Sequence, residues 1–468
     1  MINVGLHGTD VVTVRNVWSA DGSPGGEGAG WRDVTNTLVA DVSNRGVPEK
    51  RELSSTMSDD SNYADLMGDA TRRGGNQAGV RQYNERLIMA LVREAGALSK
   101  AEIARITRLS SMTVTTIVNK LLEEGLVRKK EVIRGRMGQP STPIELAPDG
   151  AISIGMKIGR RSLDLLALSF DRSVVVKKTV TYDALDSRKF SGLIAEAFDR
   201  LFASLSDLQR SRLVGVGVAA PTAIEAGEAV IGDPGGSVPR LREKELLGHV
   251  EEASGLSAVV LNDATAACLA EIDFSRDQRN RSMIYFYVST LIGGGVVLEG
   301  NLITGRTGNA GAVNAVPLGI SGGAKSGPPA QLIEAASLNR LETIAERQGV
   351  PIGVFREDGG PASALDEAAW ACFDEWCDLA ADALAHAAIS GTSFIEAESV
   401  VIDGVLHRVL LDRLIARIGE RIPRYNLEGI NLPEFRAGSI GFDARALGAA
   451  LVPMYEQFAP DNKVVLKR

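Results

Sequence analysis

The stretch from Arg81 to Leu146 constrains this chain most. Three short amphipathic helices in close succession, followed by two strand-like runs, leave few folds open. Val80, Asn84, Leu87, Ile88, Leu91 and Val92 recur at helical spacing. Ser99-Lys100-Ala101-Glu102 has the capping-box pattern, serine at the N-cap and glutamate three residues on, and opens a helix that turns Ile103 and Ile106 inward. Arg108-Leu109-Ser110 makes a turn. A third helix is expected from Ser111 to Glu124, with Val114, Ile117, Val118, Leu121 and Leu122 on its buried face. Its opposite face carries Ser111, Met112, Thr115, Thr116, Asn119 and Lys120. That face suits a major groove, where an α-helix fits and short hydroxyl and amide groups reach base edges. Gly125 ends the helix. Leu126–Ile133 and Thr142–Leu146 read as strands flanking Arg134-Gly135-Arg136-Met137-Gly138-Gln139-Pro140, a wing whose Arg134 and Arg136 can enter a minor groove. The pattern predicts a winged helix-turn-helix with a double-stranded DNA operator as its partner.

Charge points the same way. Residues 81–140 hold twelve Lys or Arg against six Asp or Glu, a net +6 inside a chain of formal charge −8. A basic segment on an acidic protein is the electrostatic footprint of a nucleic-acid module. The 468 residues exceed what one simple core organises. No apolar run approaches the ~18 residues of a membrane span, and the N-terminus lacks a charged-then-apolar signal, so no membrane partner is expected. The three cysteines, Cys268, Cys372 and Cys377, are too few and scattered for a disulfide framework, which fits a reducing cytoplasm. Cys372 and Cys377 read as small packing residues on a helix.

Residues 1–74 are rich in Gly, Ser, Asp and Asn and are expected to be disordered or weakly ordered. Met57 and Met67 stand close ahead of the helical segment, and translation starting at either would omit what precedes it. The winged helix takes 75–148. Beyond it the pattern alternates strands and helices. Strands are expected at Ala151–Ile158, Leu163–Ser169, Val174–Tyr182, Leu213–Val218 and Ala258–Leu261, with helices at Ser187–Leu205 and from Asp263. A second unit follows with strands at Met283–Ser289, Gly294–Leu298 and Ser399–Asp403, a long helix at Trp370–Ile389 and a closing helix at Ala444–Gln457. Two such α/β units imply lobes at 149–275 and 276–468 with a cleft between them, the last helix returning toward the first lobe.

Several runs together resemble one family. They are Leu98-Ser99-Lys100-Ala101-Glu102-Ile103-Ala104, Ile154-Gly155-Met156-Lys157-Ile158-Gly159, Gly215-Val216-Gly217-Val218-Ala219-Ala220-Pro221, Leu261-Asn262-Asp263-Ala264-Thr265-Ala266-Ala267 and Gly448-Ala449-Ala450-Leu451-Val452-Pro453. Their order and spacing are similar to the ROK family of repressors and sugar kinases. The resemblance implies a winged helix-turn-helix on a two-lobed actin-like (ribonuclease H-like) sugar-kinase fold, in which a sugar or a sugar-transport protein controls DNA release.

The family's kinase chemistry is largely absent. Where its kinases carry Asp-x-Gly-x-Thr, this chain has Lys157-Ile158-Gly159-Arg160-Arg161, and lysine cannot ligate magnesium. Asp403 stands where a nucleotide would approach the adenosine-side turn. Asp263 matches the family's catalytic base, but a base without a phosphate site makes no kinase. The resemblance places Asn262 and Asp263 on a sugar, although both are also favoured at a helix start. Family Glu and His positions of the sugar pocket are Ala312 and Ala315 here, and Glu334 lies one position out of register with a further family glutamate. The family's zinc interval, Val316–Ser337, has neither Cys nor His, so neither zinc nor another cofactor is expected. Lys157, Arg160 and Arg161 could instead favour a sugar phosphate or sugar acid, or could point to solvent or pair with acidic neighbours. The expected protein is a cytoplasmic, non-enzymatic DNA-binding regulator of carbohydrate-related genes, a repressor and a homodimer or higher homo-oligomer. A regulator answering to a protein partner or to no ligand, and an active sugar kinase, are the alternatives.

Overall fold

The structure, a computed structural model, describes residues 77–130, 142–160, 162–182, 189–225, 228–231, 241–275, 281–319 and 329–460. The 1–74 tail, the wing tip with Arg134 and Arg136, and Arg161 lie outside these residues.

The first described unit is built from α1 (Gln77–Ala95), α2 (Lys100–Thr107), α3 (Ser111–Glu123), β1 (Val127–Lys129) and β2 (Ile144–Leu146). Each junction has a local cause. Ser99 accepts from the Glu102 amide at 3.2 Å while its own amide donates to the Glu102 carboxylate at 2.8 Å, closing the capping box that starts α2. Arg108 takes a left-handed conformation (φ 57°) to end α2, and Ser110 caps α3 through the Thr113 amide. Leu87, Ile88, Leu91 and Val92 of α1 pack on Ile103 and on Val114, Ile117, Val118 and Leu121 of α3. The apolar stripe of α1 starts at Leu87; Val80 is 49% exposed. β1 and β2 pair antiparallel, and Leu98 bridges to Ile144 to widen the ribbon.

The remaining elements run β3 (Ile152–Ile158), β4 (Ser162–Ser169), β5 (Val174–Thr181), α4 (Phe190–Phe202), α5 (Asp207–Ser211), β6 (Leu213–Ala220), β7 (Thr222–Glu225), β8 (Glu228–Ile231), β9 (Leu241–Arg242), α6 (Glu243–Ser254), β10 (Ala258–Asn262) and α7 (Asp263–Phe274). They continue through β11 (Met283–Val288), β12 (Gly293–Leu298), β13 (Asn301–Ile303), α8 (Leu332–Ala336), α9 (Leu338–Arg347), α10 (Glu367–Ile395), β14 (Ser399–Gly404), α11 (Arg408–Arg421), β15 (Glu434–Ala437) and α12 (Ala444–Phe458).

The two large sheets repeat one topology. In the first, ordered β10-β6-β3-β4-β5, an antiparallel meander β3–β4–β5 is extended by parallel β6 and β10. The second, ordered β13-β12-β11-β14-β15, extends the meander β11–β12–β13 by parallel β14 and β15. β7–β9 form a small sheet of their own. The α6, α9 and α11 helices and the edge strands β13 and β15 are not evident in the sequence pattern, because short or strongly charged stretches blur the period.

Two helices hold the centre. α12 lies across β3, β6 and β4 and along α7, while α7 packs on β12 and β11. The approach is close because small residues line it. A β-carbon on Gly217 would lie 1.8 Å from the Ala449 carbonyl oxygen, and one on Gly448 would lie 1.6 Å from that of Ala266. The Ser153 hydroxyl donates to the Ala450 carbonyl at 2.6 Å. At its far end α12 enters the winged-helix core: Phe170, Met454 and Phe458 belong to the same apolar cluster as Leu87 and Ile88. Among the described residues, no helix is long and apolar enough to cross a membrane.

Candidate functional site

Two surfaces carry chemistry, and the sequence patterning picked out parts of each. The first is the outer face of α3. Ser111, Met112, Thr116 and Asn119 are exposed and Thr115 is half-buried, with Met112 at 77% the most open of the large apolar side chains on the winged helix. The Thr116 hydroxyl is turned back onto the Met112 carbonyl at 3.0 Å. Lys120 pairs within the fold, with Nζ 2.7 Å from both carboxylate oxygens of Glu85 on α1. That pairing raises the Lys120 pKa and explains why Glu85 is buried. Asn119 Oδ1 accepts from Lys100 Nζ at 2.9 Å, which brings the first turn of α2 onto the same face. Lys100 and the exposed Arg108 were not picked out by sequence pattern, because nothing local distinguishes them from solvated cations.

The second surface is a cavity of about 1320 Å³ lined by both large sheets and by the N-terminal ends of α7 and α12. Lys157, Arg160, Asn262 and Asp263 line it; Glu334 is not among the lining residues. Glu334 instead caps α8, its carboxylate accepting from the Gln331 amide at 2.8 Å. Asn262 is the N-cap of α7, its Oδ1 accepting from the Ala264 and Thr265 amides at 3.1 and 3.3 Å. Asn262 thus serves as the helix N-cap and also lines the cavity.

Each lysine and arginine among the lining residues sits against a carboxylate. Lys157 on β3 faces Asp164 on β4, directly opposite in the antiparallel register, with Nζ 2.7 Å from Oδ2. Ser162 and Thr179 hydroxyls donate to the same carboxylate at 2.9 and 2.7 Å. Arg160 donates to Asn339 at 2.9 Å and lies 3.9 Å from Glu342. Arg356 and Asp358 form a two-bonded pair, and Lys177 pairs with Asp443. Arg445 donates to Asp263 at 3.2 Å. The Phe442 ring lies near two cations, its centre 4.9 Å from Lys157 Nζ and 5.0 Å from Lys177 Nζ.

Burial lowers Lys157 to a pKa of about 8, with Arg445 nearby adding to the shift against Asp164. Burial acts to raise Asp164, but the Lys157 ammonium together with the Thr179 and Ser162 hydroxyls outweighs it and holds the carboxyl below its ordinary value. Asp403 is not in the cavity lining. It is fully buried and accepts from the Tyr285 hydroxyl at 3.0 Å and the Gly441 amide at 3.1 Å, and burial raises its pKa. Across the cavity the short turn Val313–Ala315 presents Ala312, Asn314 and Ala315, flanked by Asn309 and Thr290. The lining thus combines amides, hydroxyls, ion pairs and the Glu357 carboxylate with apolar side chains such as Ile292, Ile352 and Phe442. No group of His, Cys, Asp or Glu able to hold a metal occurs among the described residues.

Comparison with known proteins bears on both surfaces. The ROK family model matches residues 154–330, and a winged helix-turn-helix DNA-binding model matches 81–128. An uncharacterized protein of Sinorhizobium fredii is 25% identical over 80% of this chain and 91% of its own length. The xylose repressor of Bacillus subtilis is 22% identical over 53% of this chain, a match that takes in 63% of the repressor. The dual regulator NagC of Escherichia coli is 22% identical over 59% of this chain and 65% of its length. This chain thus spans less than two thirds of these two regulators. Among solved structures, a ROK family transcriptional regulator, a homolog of the Escherichia coli MLC protein, superposes with a TM-score of 0.60 at 18% identity, covering 81% of this chain and 98% of that one.

Proposed function

This chain carries a ROK-family domain behind a winged helix-turn-helix, and from that premise we propose that it is a DNA-binding transcriptional regulator, a repressor of carbohydrate-related genes. The observation that carries the reading is the pairing of an exposed hydroxyl-and-amide helix face on the winged helix with a polar cavity in the second domain. Related proteins named as xylose and N-acetylglucosamine repressors support the sugar connection.

The effector domain does no phosphoryl transfer. Lys157 occupies the position of the family's phosphate-turn aspartate, its side chain is locked to Asp164, and the Phe442 ring covers it. A lysine at that position cannot ligate magnesium, and Asp263 is engaged by Arg445. The lining favours a neutral sugar over a sugar phosphate or acid, since an anion would have to compete with a carboxylate at Lys157, Lys177, Arg356 and Arg445. The exposed apolar side chains, Phe394 at 88% foremost, do not by themselves make a partner-protein surface. The protein works in the cytoplasm as a homodimer, two winged helices meeting half-sites one helical turn apart.

The DNA half is tested by selecting duplexes from genomic fragments with the full chain and measuring affinity by fluorescence anisotropy. Asn119→Ala should lose ~1–3 kcal/mol of discrimination at one base step. Lys100→Ala should weaken all sequences alike and reduce the salt slope by about one. Selection of no sequence, or unchanged binding in both variants, would refute the assignment. The ligand half is tested by thermal shift with D-xylose, D-glucose and N-acetyl-D-glucosamine against sugar phosphates and gluconate. A neutral sugar present at about 100 times its Kd should stabilise the native state by ~2.7 kcal/mol.

A further inference from the structure

We propose that α7 and α12 act together as the strut that couples the cavity to the winged helix, with Asp263–Arg445 as its cavity end and Asp273–Tyr455 as its DNA-domain end. The proposal rests on the reading of the chain as a ligand-controlled DNA-binding protein and names the device that would connect the two sites.

Both helices begin at the cavity, where Asp263 is the first residue of α7 and Arg445 the second of α12. α12 ends in the winged-helix core, and α7 ends beside it at Asp273, which meets Tyr455 and Arg172. The Arg445 guanidinium donates to Asp263 at 3.2 Å, and the Tyr455 hydroxyl donates to Asp273. The two contacts are ten residues apart on each helix, so the helices run parallel and in register for ~15 Å. Between the contacts the backbones touch, since there is no room for a β-carbon on Gly448 beside Ala266. A helix pair packed this tightly does not deform gradually; it moves as a body or slips between discrete packings.

The far end is a joint of unusual composition. Arg93, in the last turn of α1, lies 5.3 Å from the centre of the Phe170 ring and 5.7 Å from that of Tyr455. Asp273 forms an ion pair with Arg172 at 2.9 Å, and the Phe170 and Phe458 rings meet at a tilt of 52° with centroids 4.7 Å apart. Arg86 of α1 donates to the Ala459 carbonyl at 3.3 Å. The element that receives these contacts, α1, packs directly on the α3 helix that carries the DNA face. At the cavity end a sugar hydroxyl donating to Asp263 would compete with Arg445 for the same carboxylate. Ligand would then act on the strut at its first turn, a difference in contact between two states of the kind coupling requires.

Hydrogen–deuterium exchange on the full chain tests this without sugar or DNA, so a failed sugar or operator experiment would not be mistaken for a failed strut. Asp263→Asn cuts the cavity end; Asp273→Asn with Tyr455→Phe cuts the joint. Asp263→Asn should raise amide exchange at residues 87–93 several-fold over the native chain. In the joint-cut background the same substitution should add nothing there, while still raising exchange locally at 264–267. Arg445→Lys, which keeps the charge and shortens the reach, should reproduce the pattern and serves if Asp263→Asn fails to fold. A response confined to 264–267 in the native background, or an equal response at 87–93 with and without the joint, would overturn the proposal.

Discussion

Gly448→Ala should destabilise the folded chain by about 3 kcal/mol, more than an ordinary surface or core exchange. The added methyl would sit 1.6 Å from the Ala266 carbonyl oxygen and 2.4 Å from its carbon, both main-chain atoms of α7. No rotamer change relieves a clash with backbone. The helices must part by over an ångström, which opens the α7–α12 contact along its length and also lifts α12 from β6. Alanine's better helix propensity returns only about 1 kcal/mol of this. Gly248→Ala in α6 is the control, since nothing lies within 4 Å of the position a β-carbon would take. It should leave the chain equally stable or about 0.4–1 kcal/mol more stable. Urea midpoints at unchanged m read both effects. A loss below about 1 kcal/mol for Gly448→Ala would mean that the helices are not in hard contact.

Asp164→Asn should cost about 3–5 kcal/mol, the range for breaking a buried pair by removing one partner. It strands the Lys157 ammonium, whose side chain is 5% exposed, beside a neutral amide. Replacing both, Lys157→Met with Asp164→Leu, should recover most of the loss, because neither charge is then left buried. The native pair also has a pH signature. Lys157 titrates at about 8 in the folded chain, below its ordinary value, so the unfolded chain holds the extra proton between pH 8 and 10. Stability relative to Lys157→Met should therefore rise across that window, by at most ~1.4 kcal/mol per pH unit, and that gain is lost as pH falls through 8. A gap that stays flat or shrinks from pH 8 to 10 would contradict the burial of this lysine.

How far the sequence reveals these features depends on their range. The capping box at Ser99 and Glu102 and the stripe of α3 are local, and the structure has both. The strands of the two lobes are legible because buried runs such as Ile152–Ile158 are uniformly apolar apart from Ser153 and Lys157. The partner of Lys157 was within reach too: a tight hairpin pairing Ile158 with Leu163 places Lys157 opposite Asp164. Glu334 has the same kind of local signal, standing three residues after the N-cap Gln331. By contrast, Lys120 meets a glutamate 35 positions away, and Asp263 and Asp273 meet side chains 182 positions on. Contacts of that range depend on helix packing, which periodicity does not encode. The register of α12 along α7 is therefore invisible in the sequence even though each helix is plain.

The central claim is that a neutral sugar in the cavity governs the grip of the winged helix on DNA, with no chemistry done on the sugar. The most direct measurement is the Kd of the full chain for a selected duplex at fixed salt, titrated with the same neutral and anionic sugars and with ATP and magnesium. The account predicts that one neutral sugar weakens the duplex complex at least tenfold, equivalent to ~1.4 kcal/mol of coupling, while ATP adds nothing and the sugar is recovered unphosphorylated. Release by anionic sugars alone, no response to any sugar, or ATP-dependent formation of a sugar phosphate would contradict it.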